Sequence, residues 1–186
     1  MTRTITKFST ASVMVALAFS TSQAVLAQSR PTAEHRALAS EVGVWDAESK
    51  FWMAPETDPL ESKAVETNTM LGEFWINSQY KSDLGGVPFE GHGQFGYDPV
   101  AKKFVGTWID TMSPFLSTME GAMDEAHKTL TVFSKGRDPQ TGEENVSKMV
   151  TTYVDDNHKK FEMFGPVEGK EGHWWKMMEV NYTRRK

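Results

Sequence analysis

Four carboxylates sit between apolar neighbours: Asp110 in "WID", Glu120 in "MEG", Glu162 in "FEM" and Glu179 in "MEV". Gathered in one buried place, they would raise one another's pKa and could share the work of general acid and general base. A strand with one face in water produces the same pattern with its acids outside, so the pattern assigns them no catalytic role. The histidines are scattered. His127 in "DEAHK" and His158 in "DDNHK" read as turn residues, and His35 belongs to a short helix. Only His92 and His173 are placed to reach a cavity or its mouth. One axial imidazole is enough for haem, which makes haem the alternative cofactor; the main reading expects no cofactor and no metal site. No nucleophile elbow, phosphate loop or dinucleotide fingerprint occurs. With no cysteine in the chain, disulfides, thiol catalysis, cysteine zinc sites and a lipoprotein anchor are excluded.

The elements that would position these groups follow a period of two. Residues 32–41, "TAEHRALASE", suit one short helix with Thr32 as N-cap. Beyond Gly43 the chain reads as about ten strands: 44–53, 62–71, 73–83, 88–97, 102–111, 115–123, 128–135, 145–154, 159–165 and 174–184. Turn signals separate most of them, among them "DLGG", "YDPVAKK", "MSPF", "GRDPQTGEE" and "GPVEGKEGH". Short consecutive links favour an antiparallel meander. Ten strands behind one helix close most simply into an all-β, up-and-down antiparallel barrel, since closure removes the sheet edges. A two-sheet sandwich is the alternative.

The first 27 residues read as a separate device. Arg3 and Lys7 open it, "ASVMVALAF" is apolar, and "AVLA" places Val25 and Ala27 before a cleavage point. This is the pattern of a secretory signal peptide, with an apolar run well short of the ~20 residues that span a bilayer. The expected mature chain, 28–186, is one barrel domain, periplasmic or secreted, with no membrane insertion after cleavage. Without Arg3 and Lys7, 18 basic side chains face 25 acidic ones. No basic cluster offsets that balance, which argues against a nucleic-acid partner.

Several motifs resemble a bacterial family known as domain of unknown function 1579: "GVWDAESKFWM", "PFEGHGQFGYDPVAKKFVGTWIDTM", "DPQTG", "FEMF" and "MMEVNYTRRK". The resemblance runs over nearly all of the mature chain and implies a lipocalin-like β-barrel, with almost no biochemistry attached. Gly43, Val44 and Trp45 are similar, more distantly, to the opening of lipocalins. The strand number is similar to nitrobindin-like haem barrels.

In a closed meander the last strand returns beside the first. Arg184 or Arg185 would then lie on the indole of Trp45 and close that end of the barrel, a contact worth ~0.5–2 kcal/mol; the plainer reading makes Trp45 a large core residue. Alternation sends Trp45, Ala47, Ser49, Phe51 and Met53 inward. On the fourth strand Phe89, Gly91, Gly93, Phe95 and Tyr97 share a face, and the glycines leave room or allow a bend. If "MSPF" is a tight turn, Phe104, Trp108, Asp110, Thr118 and Glu120 share one face and Val105, Ile109, Met119 and Met123 the other; either could be inside. The expected ligand-lining set is Phe51, Phe89, Gly93, Phe95, Trp108, Asp110 and Glu120, with Trp45 and Arg184 closing the barrel. Nine methionines spread over the strands fill irregular space or adapt to apolar guests. The leading expectation is therefore a barrel that binds a small, mostly apolar molecule. A haem-binding or enzymatic barrel, and a filled barrel serving as a partner-binding or structural module, are the alternatives. The sequence sets no oligomeric state.

Overall fold

The computed structural model describes residues 30–186; the expected leader, residues 1–27, lies outside the described residues. Chain order is α1 (Ala33–Leu38), a 3-10 turn (Ala39–Glu41), β1 (Gly43–Phe51), β2 (Leu60–Leu71), β3 (Trp75–Leu84), β4 (Val87–Asp98), β5 (Lys103–Asp110), β6 (Ser113–Met123), β7 (Thr129–Arg137), β8 (Glu144–Asp155), β9 (His158–Val167) and β10 (Lys170–Arg184). Every strand pairs antiparallel with its sequence neighbours, and β10 returns to β1, so the sheet is a closed ten-stranded barrel. The alternative sandwich is excluded by the β1–β10 ladder, in which Trp45 faces Arg184 and Phe51 faces Met178. Closure leaves no row of unpaired strand-edge amides.

Turn chemistry sets the two ends. At one end, here the floor, the strands are joined by residues 72–74, 99–102, 124–128 and 156–157; at the mouth they are joined by 52–59, 85–86, 111–112, 138–143 and 168–169. One of the two-residue mouth turns uses Gly85 and Gly86 at φ of 66° and 92°, a left-handed pair that side chains other than glycine rarely adopt. The helix α1 caps the floor. Thr32 N–H donates to His35 Nδ1 at 3.1 Å, and the buried His35 ring packs edge-on against Phe74 and Tyr97 at 5.1 and 5.8 Å.

Two apolar clusters occupy the interior. Trp45, Ala47, Ala64, Tyr80, Val180 and Tyr182 form one, joining β1, β2, β3 and β10. Leu38 of the helix joins Phe104, Leu130 and Val132 in the other. Each fully buried large side chain contributes on the order of 1.5–3 kcal/mol.

The two-residue turn at Thr111–Met112 settles the face left open between β5 and β6. Asp110 pairs with Ser113 and Trp108 with Ser117, so even-numbered residues of β5 share a face with odd-numbered residues of β6. Phe104, Trp108 and Asp110 therefore point inward together with Met119 and Met123, while Thr118 and Glu120 point outward.

Candidate functional site

The expected lining residues separate accordingly. Phe51, Phe89, Gly93, Phe95, Trp108 and Asp110 lie on inward positions. Glu120 does not: it stands opposite Val105 on the outer face, and its carboxylate accepts from Lys103 Nζ at 3.2 Å. Partners across β5 and β6 have opposite parity, so Glu120 cannot share the face of Trp108 and Asp110.

The room expected beside Gly91 and Gly93 is occupied. The Trp108 indole lies across both glycines, so close that a Cβ at Gly91 would stand 2.1 Å from Cζ2 and one at Gly93 3.1 Å from Cε3. Trp108 Nε1 donates to Asp110 Oδ2 at 3.0 Å, which fixes the ring, and Asp110 Oδ1 accepts from the Met112 backbone N–H at 2.9 Å. Phe95 stacks on Phe104 with centroids 5.9 Å apart. These glycines thus accommodate an indole belonging to the barrel itself.

The carboxylates do not assemble inside. Glu162 and Glu179 face each other across β9 and β10 on the outer surface, where Lys176 Nζ reaches both at 2.7 Å and Lys160 Nζ reaches Glu162 at 3.1 Å. Partial burial works against the Glu162 charge, but hydrogen bonds from Lys176 and Lys160 prevail and hold its pKa below the ordinary carboxylate value. Asp110, Glu120, Glu162 and Glu179 are consequently three separate sites. No strand histidine is buried: His92 is outside with its Nε2 2.8 Å from Glu90, and His173 is exposed near the start of β10. The single axial imidazole required by the haem alternative is therefore not placed inside. Among the described residues no three His, Asp or Glu side chains gather in a metal-binding group.

Sequence patterning missed the densest polar cluster, which lies inside the floor. Lys159, 7% exposed, donates to Glu66 Oε1 at 3.1 Å and also to Glu41 Oε2. Tyr182 OH donates to Glu66 Oε2 at 2.9 Å, and Asn68 Nδ2 to Glu66 Oε1 at 2.7 Å. The ammonium also lies 4.6 Å from the Trp45 ring centroid and 4.7 Å from that of Tyr182. Arg184 covers the same indole at 4.0 Å, and its guanidinium binds the carbonyls of Ser40, Val42 and Asp156. A buried ammonium persists only when paired and hydrogen-bonded. One signal was legible: Lys159 is in phase with Phe161 and Met163 on the apolar face of β9.

Toward the mouth the interior changes character. Phe89, Trp108, Phe115, Met119, Met149, Phe161, Met163 and Met178 all lie in register with buried or inward neighbours, yet each stays partly exposed. Solvent therefore enters the barrel from this end. Hydroxyls mark the β1–β3 wall: Ser49 Oγ and Tyr80 OH share a 2.6 Å hydrogen bond, Ser62 Oγ donates to the Asp83 carbonyl at 2.7 Å, and Ser82 Oγ is buried with no hydrogen-bond partner among the described residues. Burial raises the Tyr80 phenol above its ordinary pKa, so it stays protonated and able to donate. Round the barrel from β1, Met178, Met163 and Met149 stand side by side on β10, β9 and β8.

The family described as "Protein of unknown function (DUF1579)" matches residues 30–184. Among solved structures, Rv2717c from M. tuberculosis is similar with a TM-score of 0.64 and 11% sequence identity, over 84% of this chain and 100% of that one. The protein EF1p2_mFAP2b bound to DFHBI gives a TM-score of 0.43 at 10% identity, over 82% of this chain and 99% of that one. The first likeness shows the fold. No curated protein matches the sequence.

Proposed function

This chain belongs to the DUF1579 family, and we propose that it is an exported barrel that holds one small, mostly apolar molecule in the mouth-side half of its interior. The observation that carries this reading is the partial exposure of inward apolar side chains, from Phe89 to Met178, in a closed barrel whose floor is buried. A filled barrel would bury them. Thioethers adapt their shape to varied apolar surfaces, so the methionine wall takes the ligand's apolar body. The serine and Tyr80 wall takes a hydrogen-bonding group, and Ser82 Oγ has capacity to spare. Few polar groups among many apolar ones is the usual composition of a small-molecule site.

Titration of the mature protein with Nile red, retinol and palmitate, followed by tryptophan emission, tests the pocket. Saturable one-to-one binding is expected. Ser147→Phe, an inward mouth-side position, should abolish it without lowering the melting temperature. If no guest saturates, the interior is closed by its own side chains and the partner-binding or structural reading replaces this one. Export rests on Arg3, Lys7, the apolar run and the "AVLA" site. N-terminal sequencing of the periplasmic or secreted protein should start at Gln28, and an uncleaved cytosolic product would rule export out.

A further inference from the structure

We infer a second binding site, on the outer wall of β2–β5, that takes a neutral oligosaccharide. Its centre is Trp75, an outward residue of β3 that stays 40% exposed. Opposite it on β4 stands Gly96, which is outward too and yet buried. A Cβ at Gly96 would lie 2.5, 2.8 and 2.9 Å from Cε3, Cζ3 and Cδ2 of Trp75. Near-equal distances to three consecutive ring atoms put that point over the ring plane, since an approach from the edge would single out the nearest atom. The indole therefore lies flat on the wall, with one face on Gly96 and the other toward solvent. The site is independent of whether the interior holds a ligand.

The wall around the indole is uncharged. Beside Trp75 a row of polar side chains, Thr69, Asn77, Gln94 and Thr107, crosses four paired strands on the outer face. The flanking rows run from Leu71 to Val105 on the floor side and from Thr67 to Ile109 on the mouth side. None of the three rows holds a Lys, Arg, Asp or Glu, although these make up 24% of the chain and belong on exposed faces. Their one titratable member is His92, whose Nε2 lies 2.8 Å from Glu90. One polar group in the middle row is unanswered: Asn77 Oδ1 is buried with no hydrogen-bond partner among the described residues. A buried acceptor is costly to leave unpaired.

These features select the ligand class. An ionic guest would lose water against a wall that offers it no free counter-charge: just beyond the rows, Lys103 pairs with Glu120 at 3.2 Å and Lys81 with Glu90 at 3.6 Å. A purely apolar guest would cover the hydroxyls and amides of the middle row without pairing them. Hydroxyls and carboxamides both donate and accept, which matches the hydroxyl groups of a sugar. The free indole face, negative in its quadrupole, receives the weakly positive C–H face of a pyranose ring. Strands about 4.8 Å apart stretch the middle row over roughly 14 Å, room for more than one sugar unit. An oligosaccharide lying across the strands thus stacks on Trp75, pairs along the row, and brings a hydroxyl donor to Asn77.

Maltohexaose and cellohexaose, titrated into the mature protein and followed by calorimetry and by saturation-transfer difference NMR, provide the test. At least one should saturate. Trp75→Ala, outside the core, should weaken binding by about tenfold or more. Gln94→Ala, on an exposed side chain whose loss leaves the barrel folded, should weaken it several-fold. Ser147→Phe, inside the barrel, should leave it unchanged, which separates this site from the interior one. The assignment is overturned if neither sugar saturates, if Trp75→Ala and Gln94→Ala both bind like the parent, or if anionic oligogalacturonate binds better than either neutral sugar. It is overturned as well if sedimentation shows a dimer of this chain that Trp75→Ala dissociates, because a second copy would then cover the indole.

Discussion

Lys159 and Glu66, on strands β9 and β2, meet inside the barrel floor at 3.1 Å across a sequence separation of 93 residues. The strands that carry them never pair, so the contact exists only because the sheet closes. With Glu41 from the 3-10 turn, the ammonium ties the capping helix to the barrel. Lys159→Ala leaves two acids facing each other in a buried site and is expected to cost about 3–5 kcal/mol. Urea unfolding measures the loss. The triple variant Lys159→Met, Glu66→Gln, Glu41→Gln, which removes the charges together, should recover at least half of it.

The same cluster predicts a weakness at alkaline pH. Burial alone would lower the Lys159 pKa, but Glu66 and Glu41 outweigh it and raise the group above its ordinary 10.5. The Tyr182 and Tyr153 phenols are pushed well above their ordinary 10.0, by burial first and then by the neighbouring glutamates. In each case the unfolded chain releases its proton at a lower pH than the folded one. Stability is therefore full below about pH 10 and falls as the pH rises through the folded-state values. Urea midpoints measured from about pH 8 to about pH 12 should decline on the alkaline side, and more gently for Tyr182→Phe. A flat profile across that range would contradict the burial of this cluster.

Gly91→Ala sets a methyl group against the Trp108 indole, which must swing toward the mouth and break its 3.0 Å hydrogen bond to Asp110. A cost of about 1–3 kcal/mol is expected, together with a shift of tryptophan emission toward that of a more solvated ring. Unchanged emission and stability would mean that Trp108 does not rest on Gly91.

Deleting Tyr182–Lys186 removes the buried Tyr182, the guanidinium over Trp45, and the end of the β1–β10 ladder. A loss of at least about 3 kcal/mol follows from the tyrosine alone. A truncated protein that melts within a degree or two of the full mature chain would argue against closure through these residues.

Much of this architecture was already legible in residue order. A period of two, broken by glycine, proline and aspartate clusters, located all ten strands: the expected run 88–97 is Val87–Asp98, and 145–154 is Glu144–Asp155. The return of the last strand to the first followed from counting strands and from the need to pair their edges, and it places Arg184 opposite Trp45. Alternation assigns residues to two faces but does not say which face is inside. On β5 and β6 that choice rested on the two residues of one turn, and it sent Asp110 inward and Glu120 outward. Nor does spacing show what fills a gap. Gly91 and Gly93 signal a close approach, yet only the paired register reveals Trp108 as the occupant. Lys159 is in phase with Phe161 and Met163, but only the closed barrel sets Glu41 and Glu66 beside it. Local sequence thus determined the strands and their order, because period and turn chemistry act over a few residues. Tertiary structure decided the faces, the buried ion cluster and the uncharged outer wall, because these depend on groups brought together only when the strands pair and the barrel closes.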